Sequence, residues 1–221
     1  AVALLATGED LSRAGEFDEA ESALGVAQAE LKTAGQTYYE LRARTQRCLI
    51  LSRRGLPTES VRCEAEVADR YEELGEFAAA AASGISIANL WMKLGNLKSA
   101  RERLLRIDAY RASLLPVTRA KLHEAFGTYY LQTGELDSAA RELLAASTQM
   151  AEIGLPSDQA VIDLKLAGVA LQAGAYAEEL RLLERSLSTV GNDGPPEIVS
   201  AIALRAASAY LVQGSFDEAV R

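Results

Sequence analysis

The chain has 221 residues, 49% of them apolar, with 5 prolines, 2 cysteines, one histidine and a formal net charge of −8. Ala and Leu dominate the apolar set, which favours helix over strand, and hairpin dipeptides such as Asn-Gly are almost absent. The negative charge argues against a phosphate-binding surface, no stretch approaches the ~18 apolar residues of a membrane helix, and no signal peptide is visible.

The first segment begins inside an apolar, helix-like run at Ala1 and stops at Gly15, in "AGEFDEAES". Loosened copies of that phrase follow at Gly55, Gly95, Gly134, Gly174 and Gly214, at intervals of 40, 40, 39, 40 and 40 residues. A second set of breaks falls between them: Gly35, Gly75, Leu115-Pro116, Gly154 and "GNDGPP" around Gly194. The "LGEF" at Gly75 copies the phrase but belongs to this second set, and is read as a turn between repeats. Turns thus recur about every twenty residues. Each of the five prolines follows a break, where a helix tolerates proline because its first N–H has no partner anyway. Helices of ~17 residues are predicted between the breaks, eleven complete and one stub. Leu136, Ala139, Ala140, Leu143 and Leu144 illustrate the helical period.

The third segment carries "ELRARTQRCLILSRRG", with Arg42, Arg44, Arg47, Arg53 and Arg54. At 100° per residue they divide into two faces, without interleaved aromatics for base stacking, and Glu59, Glu64 and Glu66 follow on the next segment. Ion pairs within and between helices are expected, among them a partly buried pair between Arg44 or Arg47 and Glu64. Cys48 and Cys63 have neither the pattern of a disulfide scaffold nor metal-ligand spacing, and read as small core residues of a reducing compartment. His123 is expected to be packed between helices. It lies two repeats from the cysteines, roughly 20 Å at ~10 Å per packed helix, too far for a nucleophile pair. "GNDGPP" lacks the Lys-Ser/Thr of a phosphate loop. No enzymatic activity, cofactor or metal site is expected.

Aligned on the turn glycine, the repeats place Gly8, Cys48, Ala88, Gly127, Ala167 and Ala207 seven residues before it. Leu11, Leu51, Trp91, Tyr130, Ala170 and Tyr210 stand four before it, and Ala20, Ser60, Ala100, Ala139, Glu179 and Ala219 five after. Small residues at fixed points of facing helices allow close approach, and large neighbours fill the groove. This pattern resembles the tetratricopeptide repeat (TPR), over essentially the whole chain. The resemblance implies an all-α, right-handed α-solenoid of tandem antiparallel helix pairs, one segment over 1–221 with about six repeats (1–35, 36–75, 76–115, 116–154, 155–194 and a truncated 195–221).

At about 40 residues rather than the usual 34, the repeats are similar to the TPR arms of bacterial CHAT caspase-like proteins or of large LuxR-type activators. The resemblance implies an interaction scaffold or regulatory arm of a larger cytoplasmic protein. Its partner would be a protein or peptide, or an adjacent domain of the same chain, with no nucleic acid or membrane at this segment. In this family the first helix of each repeat lines the binding face. The lining then includes Glu9, Arg42, Asn89, Met92, Lys121 and Glu124, followed by an apolar stretch of Val161, Leu164, Leu171, Leu204 and Leu211. That stretch reads either as a peptide groove or as a face covered by further repeats or a following domain. The chain is expected to be an excised segment, cut within its sixth repeat, with a frayed end at "SFDEAVR".

Overall fold

The computed structural model describes residues 1–191, 194–212 and 214. Among them the chain forms eleven α-helices and no strand. Two compact units, Ala1–Leu114 and Leu115–Arg221, divide it. The first holds α1 (Val2–Ala14), α2 (Phe17–Thr33), α3 (Thr37–Arg53), α4 (Pro57–Glu73), α5 (Phe77–Lys93), α6 (Leu97–Asp108) and a 3₁₀ turn at Arg111–Ser113. The second holds α7 (Pro116–Thr133), α8 (Leu136–Ile153), α9 (Pro156–Gln172), α10 (Tyr176–Val190) and α11 (Pro196–Val212). Within each unit every helix packs on the next.

The turns explain the regularity. At the end of α1, Gly15 adopts φ 86°, its N–H donates to the Ser12 carbonyl at 3.4 Å, and the Glu16 N–H reaches back to the Leu11 carbonyl at 3.0 Å. The same pair of bonds closes α7, where the Glu135 N–H meets the Tyr130 carbonyl at 2.9 Å behind Gly134. This is a left-handed closure that only glycine enters without a Cβ penalty. One further residue then starts the next helix, so each turn sets two helices antiparallel in a fixed register. Pro57, Pro116 and Pro156 occupy the first turn of α4, α7 and α9.

The shortest α-helix, α6, departs furthest from the ~17-residue expectation. No glycine stands near residue 110, and α6 ends after 12 residues. The chain leaves it through the 3₁₀ turn, and Leu115 takes an extended conformation (φ −60°, ψ 150°), as the residue before a proline does. At the other end, Gly214 has φ 77°. The expected second helix of the sixth repeat, with its fraying, lies outside the described residues.

The register brings the small residue seven before each turn against the residue nine after it. A Cβ on Gly8 would stand 2.6 Å from Leu24 Cγ, and one on Gly127 would stand 2.5 Å from Leu143 Cγ. Leu24, Leu104, Leu143 and Leu183, all at that position, are fully buried. Each contributes roughly 1.5–3 kcal/mol by leaving water. The second repeat places Glu64 there instead.

Leu143→Ala is expected to destabilise the second unit by about 2–5 kcal/mol, read from chemical denaturation. Leu144→Ala, one residue on but 54% exposed, is expected to change stability by less than about 0.5 kcal/mol.

Candidate interaction surface

The five arginines of the α3 segment are engaged within the protein. Arg42 grips Glu9 of α1 through two bonds of 2.8 Å, and Arg53 reaches the Ser12 carbonyl at 2.5 Å. Arg47 binds Glu21 at 2.7 Å and Gln28 at 2.8 Å on α2. Arg44 pairs with Glu66, and Arg54 with Asp18. These are bridges between neighbouring helices, and they overturn the expected pair to Glu64.

Glu64 is fully buried and has no cation partner among the described residues. Its Oε1 lies 2.9 Å from Ser60 Oγ, which also sits 2.8 Å from the Cys48 carbonyl. Its Oε2 makes no well-aligned hydrogen bond, although Ser86 on α5 lies within reach. A serine hydroxyl has one proton and cannot donate to both acceptors. The arrangement closes if Glu64 is protonated: the acid donates to Ser60, and Ser60 donates to the carbonyl. Burial pushes the Glu64 carboxyl above its ordinary range, with the Ser86 and Ser60 hydroxyls offsetting part of the effect.

Beside this group, Cys48 and Cys63 form a disulfide between α3 and α4, with Cα atoms 5.5 Å apart. The reading of two free core cysteines is therefore corrected. The signal was present in the repeat register, since positions seven before and eight or nine after a turn glycine meet across each hairpin. Spacing in the linear sequence does not display it. Cys48 is fully buried and Cys63 half-buried.

In the second unit, His123 Nδ1 lies 2.7 Å from Glu142 Oε2 between α7 and α8, as the packed interhelical reading expects. Asp163 is fully buried on α9. It accepts from Arg185 of α10 at 2.9 and 2.6 Å and from Ser147 of α8 at 2.7 Å. Glu179, also buried, is met by Arg205 of α11 at 3.0 Å. Lys165 of α9 binds Glu124 of α7 at 2.6 Å. The sequence reading placed none of these three acid–base pairs.

Two grooves open between the first helices of successive pairs. Between α3 and α5, Leu49, Ser52, Ser86, Asn89 and Lys93 line a groove of about 370 Å³. Between α9 and α11, Leu171, Glu179, Arg205, Ser208 and Val212 line one of about 230 Å³. Of the residues read as lining a face, Asn89 and Leu171 thus stand in grooves. Arg42 is exposed and tied to Glu9, Lys121 is exposed, and Val161 and Leu164 are half-buried. Met92 is buried, whereas Leu204 and Leu211 are 72% and 51% exposed.

Two measurements check these polar cores. Because burial raises the Glu64 pKa in the fold, its protonated form contributes stability that is full below its ordinary value of 4.5 and lost as pH rises through the raised folded value. The unfolding free energy of the wild type, relative to Glu64→Gln, is therefore expected to fall as pH rises above about 4.5. Glu64→Leu should stabilise at pH 7 by about 1–3 kcal/mol. Asp163→Ala, which strips Arg185 and Ser147 of their acceptor, is expected to destabilise by about 3–5 kcal/mol in denaturant titrations.

No protein-family model matches the chain, and no curated protein matches it. Among solved structures it is similar to BtubC (BKLC) from P. vanneervenii, with a TM-score of 0.75 at 14% identity over 90% of this chain and 85% of that one. It is also similar to the nearly identical TPR-like repeats of a protein named as a kinesin light chain in Podosopora anserina, with a TM-score of 0.65 at 22% identity over 81% and 89% of the two chains. Pseudomonas aeruginosa pilF gives a TM-score of 0.70 at 13% identity over 99% and 86%. At these identities the likeness speaks for the fold. The chain has the all-α, TPR-like solenoid fold of tandem antiparallel helix pairs.

Proposed function

We propose that this chain works by binding, as an interaction scaffold whose protein or peptide partner docks along the first helices of the repeats. The observation that carries this reading is the α9–α11 groove, where Leu171 and Val212 line the opening together with the Arg205–Glu179 pair, while α11 also carries Leu204 and Leu211 exposed. Apolar side chains on a helical groove are the chemistry that takes up the apolar face of an amphipathic helix. The α3–α5 groove, with its serines, Asn89 and Lys93, suits a more polar segment. In this reading the whole of 1–221 serves as one segment of about six repeats, with no catalytic role and no nucleic acid or membrane at its surface.

The finer reading makes the chain a sensor or regulatory arm of a larger bacterial cytoplasmic protein. Its target would then be in cis, a CHAT caspase-like protease or a DNA-binding activator domain. The repeat length of about 40 residues supports it, together with the loosened phrase that recurs at each turn.

Selection of displayed helical peptides on the immobilised protein tests the binding reading. Peptides that bind the wild type are expected to lose at least tenfold in affinity to Leu204→Asp and Leu211→Asp, with Tm unchanged because both side chains are exposed. Selected peptides held equally by both variants would count against this groove.

A further inference from the structure

The second repeat differs from its neighbours at three adjoining core positions. Where the other pairs put Gly or Ala, Ala or Glu, and Leu, the α3–α4 pair has Cys48, Ser60 and Glu64, all fully buried. In the fifth repeat the acid at the middle position, Glu179, is answered by Arg205. Glu64 has the Ser60 and Ser86 hydroxyls beside it and no cation among the described residues, and its Oε2 makes no well-aligned hydrogen bond. The pair thus lacks the leucine that closes α1–α2, α5–α6, α7–α8 and α9–α10, and a covalent bond crosses the hairpin beside the gap.

We propose that the Cys48–Cys63 disulfide is a redox-controlled brace: its reduction by a dithiol selectively loosens the α3–α4 pair, and with it the groove that α3 forms with α5. Cys63 is half-buried and Cys48 fully buried, so the attacking thiolate meets Cys63 first. It forms a mixed disulfide there, and Cys48 leaves as a thiolate. The second thiol of the reductant then displaces Cys63, and the reductant departs as its own disulfide. Two electrons pass to the protein, and the two protons of the dithiol end on the two cysteine sulfurs. The reduced hairpin is left with a buried acid, two small side chains and no leucine across the contact.

The cross-link closes a separation of 15 residues. Releasing such a loop changes an opening equilibrium by roughly a hundredfold. The loosening follows from the core of the second repeat alone. Its effect on a ligand rests on reading the α3–α5 groove as a binding surface.

Amide hydrogen exchange on the whole chain, oxidised and after dithiothreitol, tests the brace, with thiol titration to show that both cysteines are freed. Exchange in 41–53 and 57–71 is expected to rise roughly a hundredfold, while α7–α10 stay unchanged. In reduced Glu64→Leu, exchange in those two segments should return to within about tenfold of α7–α8, because the leucine contact is restored. Three results would overturn the proposal: cysteines that dithiothreitol does not free, exchange in α3 and α4 that reduction leaves unaltered, or exchange that rises equally in every helix of the first unit. The last would make the bond a general staple. A peptide selected on the oxidised protein, and dependent on Asn89 by Asn89→Ala, is expected to bind the reduced form at least tenfold more weakly. Unchanged affinity alongside accelerated exchange would overturn the control of the groove and leave the brace standing. Failure to select any Asn89-dependent peptide would count against the groove as a binding surface, independently of the exchange result.

Discussion

Everything in these helix pairs depends on one contact: a small residue on the first helix lying directly under a leucine of the second. Gly8 under Leu24 and Gly127 under Leu143 leave no room for even a methyl group. The contact is possible because a left-handed glycine closes the first helix and the second starts one residue later, which fixes the register to the residue. Shift that register by one position and the leucine would meet a larger side chain. The repeated phrase is therefore the sequence-level trace of a packing requirement. It need not mark a site used many times.

The same contact sets the terms on which polar residues enter the core. Asp163 and Glu179 are buried acids that each draw an arginine from the next helix, and such pairs hold because the charge is answered where it is desolvated. Glu64 has no arginine among the described residues: Arg42, Arg47, Arg44, Arg54 and Arg53 are engaged by Glu9, Glu21, Glu66, Asp18 and the Ser12 carbonyl. The acid is buried beside serine hydroxyls instead, and that burial raises its carboxyl pKa. The buried acids of unit two are thus answered by charge, whereas in the second repeat the acid is met by a serine hydroxyl beside a sulfur–sulfur bond.

This difference also decides what could be read from the sequence. Helix boundaries were legible because glycine and proline act locally: Gly15, Gly55, Gly134 and Gly154 each take a positive φ where the spacing placed a turn. The early end of α6 was not legible as a shortened helix, because it follows from the lack of a glycine near residue 110, and an absence gives no position. The arginine partners were missed for another reason. A guanidinium on a long stem can reach carboxylates on either neighbouring helix, and the choice among Glu21, Glu64 and Glu66 depends on rotamers. The Cys48–Cys63 bond lay between these cases. Its register was readable from the aligned repeats, but reading the cysteines by linear spacing hid it. His123 was legible as an interhelical residue, yet its partner Glu142 was not.

The placement of charge bears on how a surface of this kind could recognise anything. Arg42, Lys165 and Arg205 all belong to first helices, and each is committed sideways to an acid on a neighbouring helix. A partner carboxylate that sought one of them would have to displace an existing one, so it would gain little beyond what the protein already has. Leu204 and Leu211 carry no such commitment, and burying them against a ligand removes apolar area from water without breaking a bond. Under the binding reading, selectivity in the α9–α11 groove then comes from the shape and apolar face of the partner. The ion pairs keep the helices that present those leucines in register.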